Sequence, residues 1–306
     1  MKKHILRAML FSVLFFCTAC KKEPQPEVPQ GDPRDNTPLV LETAASEILQ
    51  YNNEFFYLDA SNTGDGYVMA KYCGDNPKVK LQIIAPDETT YTYLVSDTDV
   101  YNAYPLPGGN GSYHVRLLES ISIEESKYAI VFKQDLEVTI ADEFSPFLRP
   151  NYYVNFSEDS ETVSKGMDLA NNCYCDLDVI NNVYHYVTKN ITYDVPKAQN
   201  VEYGYTPDPD ETLRTGTGIC FDYASLMSAM LRSQQIPTRL EVGYVGDVYH
   251  AWISCYVDEI GWVDNIISFD GESWSLLDPT LAANNDSSDV QEFIGDGSNY
   301  LIKYTY

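Results

Sequence analysis

Basic residues are scarce in this chain: 20 Lys and Arg stand against 45 Asp and Glu in 306 residues, a formal charge of −25. Nucleic acid is excluded as a natural partner, because a polyanion would be repelled along most of such a surface. Histidine is scarcer still, with four residues in all, so candidates for a general base are few. Long apolar runs are missing too; the run from Ala8 to Cys17 is too short to span a bilayer. No internal repeat is present. Aromatic residues are plentiful by contrast: 25 Tyr and 12 Phe within a 44% hydrophobic composition argue for a folded, strand-rich protein. The length leaves room for two domains, each with a core of its own.

The N-terminus follows a different logic. Lys2, Lys3 and Arg7 precede the apolar run, and residues 1–19 read as a secretion signal. The run ends in Cys17-Thr18-Ala19-Cys20 before an abrupt turn to polar residues, which resembles the lipobox of bacterial lipoproteins. That resemblance implies a lipid anchor on Cys20 and an extracytoplasmic place in the bacterial cell envelope. Cys17 stands where the lipobox usually has Leu, so plain secretory cleavage is the alternative. Residues 20–38 carry Pro24, Pro26, Pro29, Pro33 and Pro38 among charged and amide residues, a composition that extends as polyproline II and buries nothing. We read them as a tether.

Residues 39–150 alternate. Lys78 to Ile83, Thr90 to Val95, Ser112 to Leu118 and Tyr128 to Ile140 read as strands, and Gly108-Gly109-Asn110-Gly111 as a turn. This spacing predicts a β-sandwich of the immunoglobulin kind, with no residues that look chemical. After Pro146 and Pro150 the pattern changes, so residues 151–306 are expected to form a second, α+β domain that folds independently of the first. Val179, Ile180, Val183, Tyr186 and Val187 have helical spacing, with Asp176 or Asp178 as cap.

Chemistry enters at Gly216-Thr217-Gly218-Ile219-Cys220-Phe221-Asp222-Tyr223-Ala224. From Phe221 to Arg232 the apolar residues are helical in spacing, which sets Cys220 at a helix N-terminus. There the dipole and free amides are expected to lower the thiol pKa and make a nucleophile. A buried structural cysteine is the competing reading. A nucleophilic cysteine needs an imidazole to move its proton and a carboxylate to orient that imidazole. His4 leaves with the signal, His114 falls on a sandwich strand, and His185 lies on the polar face of its helix. His250 remains, on a strand whose one face carries His250, Trp252 and Ser254. Asp278 ends the next strand, in Trp274-Ser275-Leu276-Leu277-Asp278-Pro279-Thr280.

These motifs, with Leu231 to Arg239, Gly243-Tyr244 and His250-Ala251-Trp252 in the same order, resemble the transglutaminase-like superfamily over roughly residues 175–285. The resemblance implies a papain-like α+β core with Cys220 as nucleophile, His250 as base and acid, and Asp278 as its orienting residue. It implies an acyl-transfer enzyme with no cofactor, acting through a thioester on amides of protein or cell-wall peptide. Water as acceptor would make it a peptidase or amidase, an amine a transglutaminase; a binding or assembly module on the same scaffold is the alternative. Gln235 departs from the family's usual Gly. Tyr193 and Trp252 are candidate walls of the substrate cleft. Cys173-Tyr174-Cys175 lacks the further ligands of a structural zinc site. With five cysteines left after Cys17 and Cys20, at least one is unpaired.

Overall fold

The computed structural model describes residues 34–122, 126–258, 260–264, 268–269, 274–275 and 300–306. Alternation governs its first part. Along Gly111–Ser120, Tyr113, Val115 and Leu117 are buried and Ser112, His114 and Arg116 half-buried, so one face seeks a core and the other meets solvent. Eight such strands form two antiparallel sheets: β1 (Gln50–Asn52), β2 (Phe56–Asp59), β3 (Tyr67–Tyr72) and β6 (Asn102–Pro105) in the order β1-β2-β3-β6, and β4 (Val79–Ile84), β5 (Thr90–Val95), β7 (Gly111–Ser120) and β8 (Tyr128–Val138) in the order β5-β4-β7-β8. The chain changes sheet between β3 and β4, β5 and β6, and β6 and β7, as an immunoglobulin-like Greek key does. Tyr113, near the start of β7, donates its hydroxyl to Gly109 O at 3.0 Å, the tyrosine corner of such sandwiches. The predicted glycine turn holds, with Gly109 at φ 72°.

The second part is α+β. Helices α1 (Glu161–Ala170) and α2 (Asp176–Asn190) lead to β9 (Thr192–Tyr193), then α3 (Val195–Asn200), α4 (Pro209–Thr215), β10 (Thr217–Gly218) and α5 (Cys220–Ser233). Strands β11 (Thr238–Val245), β12 (Val248–Val257) and β13 (Gly261–Val263) follow; β14 (Ser268–Phe269) pairs with β15 (Trp274–Ser275), and β16 (Tyr300–Thr305) ends the chain. The main sheet has the order β13-β12-β11-β16. Helix α5 buries Leu226, Met227 and Met230 against a core that includes Leu240 and Ile253 of this sheet. Short helices are set by their caps: Asp194 accepts from Lys197 N before α3, and Asp208 from Glu211 N before α4. After α5, Gln235 has φ 62°, the left-handed conformation that glycine adopts without strain. The family's usual glycine at this position has that physical reason.

The two parts are not separate compact units: Pro33–Tyr306 forms one, and among the described residues a single apolar cluster runs from Val40 through both sheets of the sandwich to Tyr306. Tyrosines join them. Tyr93 of β5 stacks on Tyr153 at 5.5 Å, Tyr104 of β6 on Tyr152 at 5.2 Å, and Tyr91 meets Tyr306 edge-on at 5.6 Å. Nor does the tether run free to residue 38. Arg34 Nε reaches Asp176 at 2.5 Å, Asn36 Nδ2 donates to Cys173 O at 3.1 Å, and Leu39 N donates to Ser233 O at 2.9 Å. Its end is therefore strapped across the C-terminus of α5 and the N-terminus of α2. Among the described residues no helix is long and apolar enough to cross a membrane, and Cys73, Cys173, Cys175, Cys220 and Cys255 are all free thiols.

Candidate active site

The approach to Cys220 is built by close contact. A two-residue parallel ladder sets Thr217 beside Thr192 and Gly218 beside Tyr193. A Cβ on Gly218 would lie 2.6 Å from the Cβ of Asp222, so only glycine lets the chain pass. Asp222, fully buried, then accepts three hydrogen bonds: from Ile219 N at 2.7 Å, Lys197 Nζ at 2.7 Å and Tyr205 hydroxyl at 2.5 Å. The first closes the N-terminus of α5. The other two pin the segment from α3 to Tyr205 against it. Sequence reasoning noted Asp222 but not this role, which depends on partners 17 and 25 residues away.

The helix start does point its amides at the thiol, since the backbone N–H groups of Phe221 and Cys220 face the sulfur and Ala251 of β12 adds another. The expected depression of the pKa does not follow. Burial pushes the Cys220 thiol up, and the amides together do not offset it; the Asp222 carboxylate pushes the same way. A dipole of partial charges acts over one turn, whereas desolvation acts on the whole charge of a thiolate.

His250 sits opposite Gly243 in the β11–β12 ladder. Gly243 is required there, because a Cβ would lie 2.0 Å from Leu301 O of β16. The imidazole is 5% exposed. Burial takes its pKa down to about 4, so it is a neutral base at pH 7. Its Nε2 has no hydrogen-bond partner among the described residues. One ring face lies toward Trp252, with centroids 6.3 Å apart and planes at 26°.

Trp252 is fully buried, so it is not a wall of the cleft. Its Nε1 donates to Glu241 at 2.7 Å, and Ser254 Oγ donates to the same oxygen at 2.8 Å. Trp252 thus backs one face of His250. Tyr193 does reach the site: its hydroxyl abuts both the thiol and the backbone amide of Cys220, and burial holds the phenol protonated. Asp278 and Cys20 lie outside the described residues. His114 pairs with Asp135 at 2.6 Å on the sandwich, and His185 lies on α2 against Tyr184; neither lines the cleft with Cys220.

Cys220, His250 and Tyr193 line one cleft of about 750 Å³. The sandwich supplies part of its wall through Thr92 and Leu94, the side chains that alternate with the core-facing Tyr91 and Tyr93 of β5. Gly204 rests on Leu94 so closely that a Cβ would lie 2.1 Å from its Cδ1. This wall is invisible to alternation, which marks Thr92 and Leu94 as solvent-facing. Among the described residues no cluster of His, Cys, Asp and Glu fit to hold a metal ion is found.

Residues 165–265 match the transglutaminase-like superfamily, and the chain carries a transglutaminase-like domain there. The matched segment includes Cys220 and His250 and ends before Asp278. A UPF0252 protein of Methanocaldococcus jannaschii is 29% identical over 138 residues, which is 39% of this chain and 39% of that protein; the chain thus aligns with about two fifths of its curated relative. Among solved structures, a proposed cysteine protease of Cytophaga hutchinsonii aligns over 75% of this chain and 68% of its own, at 13% identity and a TM-score of 0.34. Red sea bream transglutaminase aligns over 70% and 48% respectively, at 13% identity and a TM-score of 0.28.

Proposed function

We propose that this protein is an extracytoplasmic cysteine acyl-transfer enzyme, anchored through a lipid on Cys20, that hydrolyses peptide amides with Cys220, His250 and Asp278. One observation carries the reading: a cysteine at a helix N-terminus and a buried neutral imidazole line the same cleft, with a third strand amide, that of Ala251, aimed at the sulfur. By burial alone the pair rests as a thiol and a neutral imidazole; a carboxylate on the imidazole shifts that balance toward thiolate and imidazolium. As sulfur attacks the carbonyl carbon, the thiol proton passes to His250, the C–S bond forms and the carbonyl π pair moves onto oxygen. That oxygen needs donors. The Cys220 amide and the Tyr193 hydroxyl lie side by side, and an oxyanion seated between them takes a hydrogen bond from each. Collapse breaks the C–N bond, and the imidazolium proton leaves with the amine. Water, deprotonated by His250, then cleaves the thioester and restores the thiol. Asp278 has the chemistry that the unpartnered Nε2 lacks: a carboxylate there favours the imidazolium that each step passes through.

The test is covalent. An acyl-directed electrophile should form an adduct on Cys220 far faster than on Cys73 or Cys255, and the adduct should be lost in His250→Ala. Equal labelling of all three thiols, unchanged in the variant, would favour a binding module on the same scaffold. Tyr193→Phe removes one oxyanion donor and keeps the ring, so kcat should fall by about 10²–10³-fold with KM little changed. An unchanged kcat would give Tyr193 a packing role only.

A further inference from the structure

From the lining of this cleft we infer that its substrates carry a cationic side chain, Lys-like or Arg-like, beside the amide to be cleaved. The inference rests on the cleft being the acyl-transfer site and adds the class of substrate. Among the described residues no Lys or Arg lines the cleft, and Glu202, exposed at its rim, is its one carboxylate. The Cys220–His250 pair adds no net charge, since a proton passed from one to the other leaves the pair neutral as a whole. The rest is mostly phenol. Tyr203 and Tyr249 are 73% and 56% exposed, Tyr244 faces Tyr249 at 5.3 Å between centroids, and Tyr153 and Tyr304 line the same cleft. Their ring faces, each the negative side of an aromatic quadrupole, are the negative surface of the cleft.

The same protein already uses tyrosine faces in this way. Lys80 Nζ stands 4.2 Å from the Tyr128 centroid and 5.5 Å from that of Tyr203, Lys71 stands 4.7 Å from that of Tyr101, and Lys197 stands 4.4 Å from that of Tyr205. Two of those rings, Tyr203 and Tyr205, belong to the cleft. Tyr244 and Tyr249, the exposed pair at the tip of the β11–β12 hairpin, have no Lys or Arg over them among the described residues. They are the open places for a cation, and Tyr249 precedes His250 in sequence. The net charge of −25 works in the same direction, drawing basic segments to the surface and turning acidic ones away.

Binding separates this inference from the chemistry. The full chain carrying Cys220→Ala is titrated with blocked Ala-Gly peptides that differ in one central residue, Lys, Arg, Leu or Glu, at low and at physiological ionic strength. The Lys and Arg peptides should bind about tenfold more tightly than the Leu peptide, the equivalent of roughly 1.4 kcal/mol from ring faces and carboxylate together, and the Glu peptide most weakly. Tyr249→Phe should keep the preference, because the ring face remains, while Tyr249→Leu should reduce it several-fold. Glu202→Gln should remove most of its salt dependence. Equal affinity for all four peptides, or a preference that survives Tyr249→Leu combined with Glu202→Gln, overturns the inference. Adduct formation on wild-type Cys220 with no cationic preference leaves the acyl-transfer reading standing and this one refuted. The preference without any adduct does the reverse.

Discussion

Alanine at position 250 is expected to slow acylation of Cys220 by about 10²–10⁴-fold, the range that positioned proton transfer supplies. The size follows from the ground state. Burial holds the thiol above its ordinary range, so at pH 7 the sulfur is little ionised unaided. His250, neutral down to about pH 4, removes that obstacle by taking the proton as the C–S bond forms. The variant should fold, since the lost Nε2 makes no hydrogen bond among the described residues. Single-turnover acylation by an activated ester, with circular dichroism as the control, measures the effect. A folded His250→Ala protein that acylates at the wild-type rate would remove the imidazole from the mechanism.

Arg232→Ala should destabilise the protein by roughly 3–5 kcal/mol, enough to unfold a domain of ordinary stability or nearly so. Arg232 is fully buried in the last turn of α5, where its charge suits the negative end of the helix dipole. Among the described residues no Asp or Glu side chain pairs with it. Its Nε and Nη2 donate to Thr238 O at 3.0 and 2.8 Å, Nη1 to Arg149 O at 2.8 Å and Nη2 to Tyr306 O at 2.7 Å. One guanidinium thus joins the end of α5, the start of β11, the segment leaving the sandwich and the last residue of the chain. Tyr306 O keeps a bond from Leu240 N; the carbonyls of Thr238 and Arg149 would be stranded, each costing about 1–3 kcal/mol. Arg232→Lys should recover only part of the loss, since a point charge cannot span the fork. Urea unfolding of the full chain measures both; an alanine variant within about 1 kcal/mol of wild type would mean that water replaces the fork.

The readable parts of the molecule are those whose signal is local. Tyr113, Val115 and Leu117 announce β7 by alternation, and α5 is announced by its apolar spacing together with the two glycines before Cys220. His250 emerges by elimination among four histidines. Helix α1 is less legible, because its buried positions include Thr162, Gly166 and Ala170, which carry little hydrophobic signal; α3 and α4 are short and owe their start to Asp caps and proline. What depends on distant partners could not be read at all. The Cys220 thiol is raised because β12 and the cleft walls desolvate it, a tertiary effect that overrides the local dipole. Trp252 shares the strand face of His250 and so invites a place in the cleft, yet Glu241 draws its indole into the interior. Thr92 and Leu94 look solvent-facing in β5 until the segment around Gly204 covers them. The tyrosines signal a folded chain, but not that they fuse its two halves.

The central claim is that Cys220, His250 and Asp278 ionise as a unit, and the pH dependence of Cys220 alkylation tests it most directly. A carboxylate on Nε2 stabilises the imidazolium and raises His250 from about 4; an imidazolium beside the sulfur in turn lowers the thiol. Wild-type protein should therefore react with iodoacetamide at a pH well below that required by Asp278→Asn, whose profile should move up toward or beyond the ordinary thiol value, as should that of His250→Ala. Three superimposable profiles, all rising only above the ordinary thiol range, would make Cys220 an isolated buried thiol and contradict the account.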